Sequence, residues 1–233
     1  MLKISILAPG QNLISYRAQN NTGSQKYLNH EQDIFVKKKI SFTSNTLNDH
    51  VNYARANGVE LDCKLTELAE MVCRTIDVLK NKNFALPSKI ICDISYFEGK
   101  NANRKGFFYN GEENTVFLNP LACTNSHFGQ LFSNNSYSTN FKEHPIFHEI
   151  AHFLHYKQNK EYYKSLKANK TKLEKSELKI IGYTLGDYVI EKGNVLEFIA
   201  EAFTAFVTNH INPEKVPEIY EIYKKYKGPE IKV

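Results

Sequence analysis

Between Phe141 and Tyr156 the chain reads FKEHPIFHEIAHFLHY, and no other run constrains the fold as tightly. Pro145 suits the first turn of a helix, following polar Glu143 and His144. Ile146, Phe147, Ile150, Ala151, Phe153 and Leu154 come next at spacings of three and four, the period of a helix with apolar faces. Within it, His148-Glu149-Ile150-Ala151-His152 spells H-E-x-x-H. Residues four apart lie on one side of a helix, so both imidazoles project together. Two nitrogens need that arrangement to hold one zinc ion, with Glu149 beside them as a base. The competing reading is a core helix carrying two hydrogen-bonded histidines.

A catalytic zinc takes three protein ligands and keeps a fourth position for water. The metzincin pattern adds a glycine and a third histidine beyond the motif, but His155 and Gln158 stand at those places here. That route is closed. His155 shares the face of His148, yet seven residues rise by about 10.5 Å, which gives it a packing or supporting role. The other common solution is a glutamate from a later helix. Asn194–Phe206, NVLEFIAEAFTAF, offers Glu197 and Glu201 on one helical face. One would bind the metal while the other accepts the free ring N–H of a liganding histidine. Asn194 with Glu197 also reads as a variant capping box, and Glu201 as a solvated residue. Phe198, Ile199, Ala202, Phe203, Ala205 and Phe206 nevertheless make this helix apolar nearly all round. Buried carboxylates are costly unless paired or bound to metal.

Taken together, these residues resemble the gluzincins, zinc peptidases with H-E-x-x-H plus a downstream glutamate. More narrowly, E-F-I-A-E-A-F at Glu197–Phe203 is similar to the same stretch in the catalytic domain of anthrax toxin lethal factor and its relatives, including phage-encoded zincin-like domains. The resemblance covers about the C-terminal half, from the region of Lys89 onward. It implies an α+β, zincin-like metallopeptidase domain, with a small β-sheet over the H-E-x-x-H helix and a helical C-terminal half. It implies Zn2+ held by His148, His152 and Glu197, Glu149 as general base, and Glu201 as the partner of a liganding histidine. The family also places a tyrosine shortly before the liganding glutamate. Tyr188 is the nearest candidate and Tyr183 a weaker one; its phenol would hydrogen-bond the oxyanion of the carbonyl under attack. The expected activity is hydrolysis of peptide bonds in a peptide or protein substrate. The alternative is a catalytically silent zincin-fold protein, structural or virion-associated.

The rest of the chain fits that frame without adding a second site. A length of 233 residues suits one domain with an appended segment, read as residues 1–60 followed by a metallopeptidase domain over 61–233. Residues 1–60 are polar, with short strands expected at Lys3–Leu7 and Asp33–Phe42 and no catalytic constellation. Leu61–Lys80 has the period of an amphipathic helix. Lys89–Phe97 reads as a strand, and Gly106–Tyr109 with Thr115–Leu118 as a hairpin. Thr124–Asn140 reads as a polar loop at the rim of a cleft, and His144 as a helix-start histidine that could face substrate. Pro213 starts a last helix that ends at Gly228-Pro229.

Cys63, Cys73, Cys92 and Cys123 are dispersed, which points to reduced thiols rather than a disulfide framework. The lysines between 157 and 179 read as a solvated face, with acidic-substrate or nucleic-acid binding as the minor reading. A net charge of +5 does not demand a nucleic-acid partner. No signal peptide or apolar run of membrane-spanning length is seen, so a cytoplasmic or virion-associated location is expected. The spacing leaves the oligomeric state open.

Overall fold

The computed structural model describes residues 46–97, 106–122 and 136–231. Among them, an α+β arrangement combines a mixed four-stranded sheet with about eight helices. The strands β1 (Glu60–Cys63), β2 (Lys89–Cys92), β3 (Phe107–Asn110) and β4 (Thr115–Leu118) lie in the order β1-β2-β4-β3. β1 and β2 are parallel, as are β2 and β4, while β3 runs antiparallel to β4. β3 is therefore an edge strand, with Tyr109 opposite Val116 and Phe108 opposite Phe117.

Alternation along the strands sends residues to two faces. Ile90, Cys92, Val116, Leu118 and Tyr109 join the main core, where the helices pack. Ile91, Phe117 and Phe97 form a small cluster on the other face, with Phe108 stacked on Phe117 at 4.5 Å between ring centres.

The helices are α1 (Leu47–Ala56), α2 (Thr66–Asn81), α3 (His144–Gln158), α4 (Lys160–Ala168), α5 (Lys175–Ile181), α6 (Asp187–Lys192), α7 (Val195–Val207) and α8 (Pro217–Lys225). At the centre of the described residues, α3 lies along α7. Every residue of α3 from His144 to His155 is buried, and so is every residue of α7 except Glu197. The expected helix at Asn194–Phe206 is thus present. Asn194 caps it by accepting a hydrogen bond from the Leu196 N–H at 2.8 Å, and no capping box forms with Glu197. α3 also packs under β3 and β4, bringing the motif helix beside the sheet edge.

Two expectations need adjustment. The helix expected over Leu61–Lys80 divides into β1 and α2, because Leu61 and Cys63 alternate inward with Glu60 and Asp62 outward. The strand expected over Lys89–Phe97 stops at Cys92 and continues as a single 3-10 turn, Ile94–Phe97. Residues 46–60 hold α1 and the start of β1, with Ala54 and Val59 fully buried in the main core. The strands expected at Lys3–Leu7 and Asp33–Phe42, Cys123, and most of the Thr124–Asn140 loop lie outside the described residues. Cys63, Cys73 and Cys92 are buried, and none of them forms a disulfide among the described residues. No helix among the described residues is long and apolar enough to cross a membrane.

Candidate metal centre

One face of α3 carries His144, His148 and His152 at successive four-residue steps, and the facing side of α7 carries Glu197 and Glu201. His148 sits between the two carboxylates. Its Nδ1 lies 2.7 Å from Glu201 Oε1 and its Nε2 lies 3.2 Å from Glu197 Oε2. His152 Nε2 is 3.9 Å from Glu197 Oε1. The Tyr188 hydroxyl, on α6, donates to Glu197 Oε2 at 3.0 Å. Tyr183 is 70% exposed and plays no part, so of the two tyrosines only Tyr188 reaches the cluster.

Two groups of three share His148: His148, His152 and Glu197, and His144, His148 and Glu201. Their geometries differ in kind. A tetrahedral zinc with bonds near 2.0–2.1 Å sets its ligand atoms about 3.3 Å apart. The first group has spacings of 3.2 and 3.9 Å and its carboxylate side chain is 26% exposed, leaving a side open. The second is closed. Glu201 Oε1 is 3.0 Å from His144 Nε2 as well as 2.7 Å from His148 Nδ1, and the Ser138 N–H donates to Oε2 at 2.8 Å. His144 is held in turn by Thr139 Oγ1 at 2.7 Å from Nδ1. These are hydrogen-bond lengths around a carboxylate with no exposure, the pattern of a group that orients a histidine from behind.

Ser138 and Thr139 reach the cluster through Gly186. With φ of +85°, Gly186 takes a conformation that favours glycine, and a Cβ there would meet the Tyr137 backbone at 2.7 Å. Two residues on, the Tyr188 N–H donates to the Ser136 carbonyl at 3.0 Å. The segment holding Glu201 and the helix carrying Tyr188 are therefore fastened side by side.

Burial and charge divide the roles of these groups. Burial lifts Glu149 to about 7, with the nearby Glu197 charge adding and His148 and the Tyr109 backbone opposing. Burial works against a charged His148, yet the hydrogen bonds that it donates to Glu197 and Glu201 hold its pKa well above the usual value. Burial pushes His152 down to about 3. Burial likewise opposes the Glu197 charge, but His148 and His152 hold its pKa at about 2. Glu201 is kept well below the carboxylate range by His144 and His148 against the cost of its burial. Burial and Glu197 raise the Tyr188 phenol far above its ordinary value, so it remains a donor at neutral pH.

His144 is the first residue of α3, as its helix-start position implies, and it is also fully buried and bonded to Glu201. The signal that could have found it is the repeat His144, His148, His152, three rings on one face rather than two. His155, three residues beyond His152, packs against Tyr163 with ring centres 5.4 Å apart. No family model matches the chain, and neither the curated proteins nor the solved structures compared with it yield a match.

Proposed function

We propose that the chain is a zinc-dependent peptidase of the gluzincin kind, with His148, His152 and Glu197 as the metal ligands. The observation that carries this is the convergence of His148 Nε2 and His152 Nε2 on the Glu197 carboxylate, at ligand-like spacings, with the remaining nitrogen of His148 backed by Glu201. Two imidazoles and a carboxylate are a donor set suited to zinc. When bound, the ion supplies a Lewis acid that polarises a carbonyl and lowers the pKa of water.

The chain's own residues supply the rest. Glu149, with a pKa near neutrality, takes a proton from the attacking water and passes it to the leaving amine. Tyr188 donates its O–H towards the oxyanion that forms on the scissile carbonyl. An extended peptide adds to the edge of β3, the strand next to the motif helix. This arrangement of sheet, motif helix and later glutamate helix supports a zincin-like fold for the domain.

Glu149→Gln is expected to hold zinc at wild-type stoichiometry while turnover of a peptide library falls by about 10³-fold, within the range for loss of a general base. Full activity in that variant would end the mechanism.

A second reading draws on one fact: both nitrogens of His148 already lie within hydrogen-bond distance of carboxylates. A zincin-like protein without turnover would use the cluster as a polar core. It predicts no cleavage by wild type, whatever metal is supplied.

A further inference from the structure

Beside the cluster, a cavity of about 230 Å³ opens between the β3–β4 hairpin and α4. Its walls include the rings of Tyr109, Tyr156 and Tyr163, and Lys164 and Lys167 stand on one face of α4 at its side. Tyr163 belongs to both places, since its ring packs edge-on against His152 with centres 6.2 Å apart. The cavity is thus one side chain away from the proposed metal ligands. Gly111 lets the hairpin pack closely on the Tyr156 wall of the cavity, because a Cβ there would meet that ring at 2.9 Å.

The lining carries two lysines and three phenols, all able to donate. Neither lysine is ion-paired, and none of the three phenols is hydrogen-bonded, to any described residue. Glu112 contributes one negative charge at the lip, against two positive ones. Both lysines are exposed and flank an aromatic-walled hollow at the end of the edge strand. The volume is below the roughly 300–1,000 Å³ of sites for whole small molecules and suits one side chain of a larger ligand.

The geometry points to a specificity pocket for an acidic side chain, Asp or Glu, of a peptide lying along β3, with Lys164 and Lys167 as the recognising cations. This rests on the peptidase reading above and adds to it a substrate class. The ammonium groups pair with the carboxylate, and the tyrosine rings pack against its methylenes while their hydroxyls supply further donors.

The test uses the full chain loaded with zinc and a peptide library randomised on both sides of the cleaved bond. Wild type is expected to favour Asp or Glu over Asn or Gln by about tenfold at one fixed position, a difference within reach of one charge-assisted pair. The double variant Lys164→Glu/Lys167→Glu is expected to lose that preference and favour Lys or Arg at the same position. Its zinc content and melting temperature serve as the check that it is folded. Cleavage without an acidic preference, or a preference that survives charge reversal, would overturn the pocket and leave the peptidase standing. A library left uncut by zinc-loaded wild type would overturn both.

Discussion

Glu201 has no exposed surface and three polar partners, His144, His148 and the Ser138 N–H, so its charge is used wholly inside the protein. A carboxylate behind a liganding imidazole fixes the ring's orientation and raises its basicity. Glu201→Gln is expected to weaken zinc binding by about 10–100-fold while the fold persists, measured by competition with a chelator. Unchanged affinity would show that Glu201 serves packing alone. Tyr188 makes the complementary case. Tyr188→Phe is expected to lower kcat by about 10²-fold with little change in KM, as for loss of one oxyanion donor. An unchanged kcat would restrict the phenol to its hydrogen bond with Glu197. The H-E-x-x-H spacing and the Glu197/Glu201 pair were legible because helical periodicity places them without tertiary information. His144 was not, because its partner Glu201 is 57 residues away and only packing brings them together.

At the scale of elements, the long helices were the most legible and the short strands the least. β1 spans only four residues and its inward Leu61 falls in phase with the apolar stripe of α2, so periodicity merges the two. What separates them is pairing with β2, a contact made across the sheet. A second tertiary device closes the C-terminal half. Glu177 on α5 accepts from Lys225 Nζ at 2.7 Å and from the Tyr226 hydroxyl at 2.9 Å, tying α5 to α8 and its end. Burial opposes the Glu177 charge, but the bonds from Lys225, Glu174 and Tyr226 outweigh it and depress its pKa. A depressed carboxylate stabilises the fold fully above its ordinary pKa of 4.5 and loses that contribution as pH falls through the lower folded value. Glu177→Gln is therefore expected to cost about 1 kcal/mol near neutrality, a fall in Tm of about 2–4 °C. Thermal melts across pH should show the gap from wild type closing below pH 4.5. A gap independent of pH would mean the charge contributes nothing.

For the whole molecule, the sheet and the α3–α7 pair together set the cluster beside an edge strand, and neither does so alone. The α+β class was legible because helix, strand and hairpin signals precede the motif helix in order. Strand order was not, since local spacing carries no information about which strand becomes the edge. Under the proposed ligand set, metal binding would tie the whole arrangement together, because ligands on two helices separated by a long stretch of chain meet only in the folded state.

The central claim is that His148, His152 and Glu197 hold zinc. Elemental analysis of wild type and Glu197→Ala, each purified without added metal, tests it most directly. One zinc per chain in wild type and a sharp loss in the variant are expected. No zinc in wild type, even after the metal is offered back, would contradict the claim and reduce H-E-I-A-H to a hydrogen-bonded motif on a core helix.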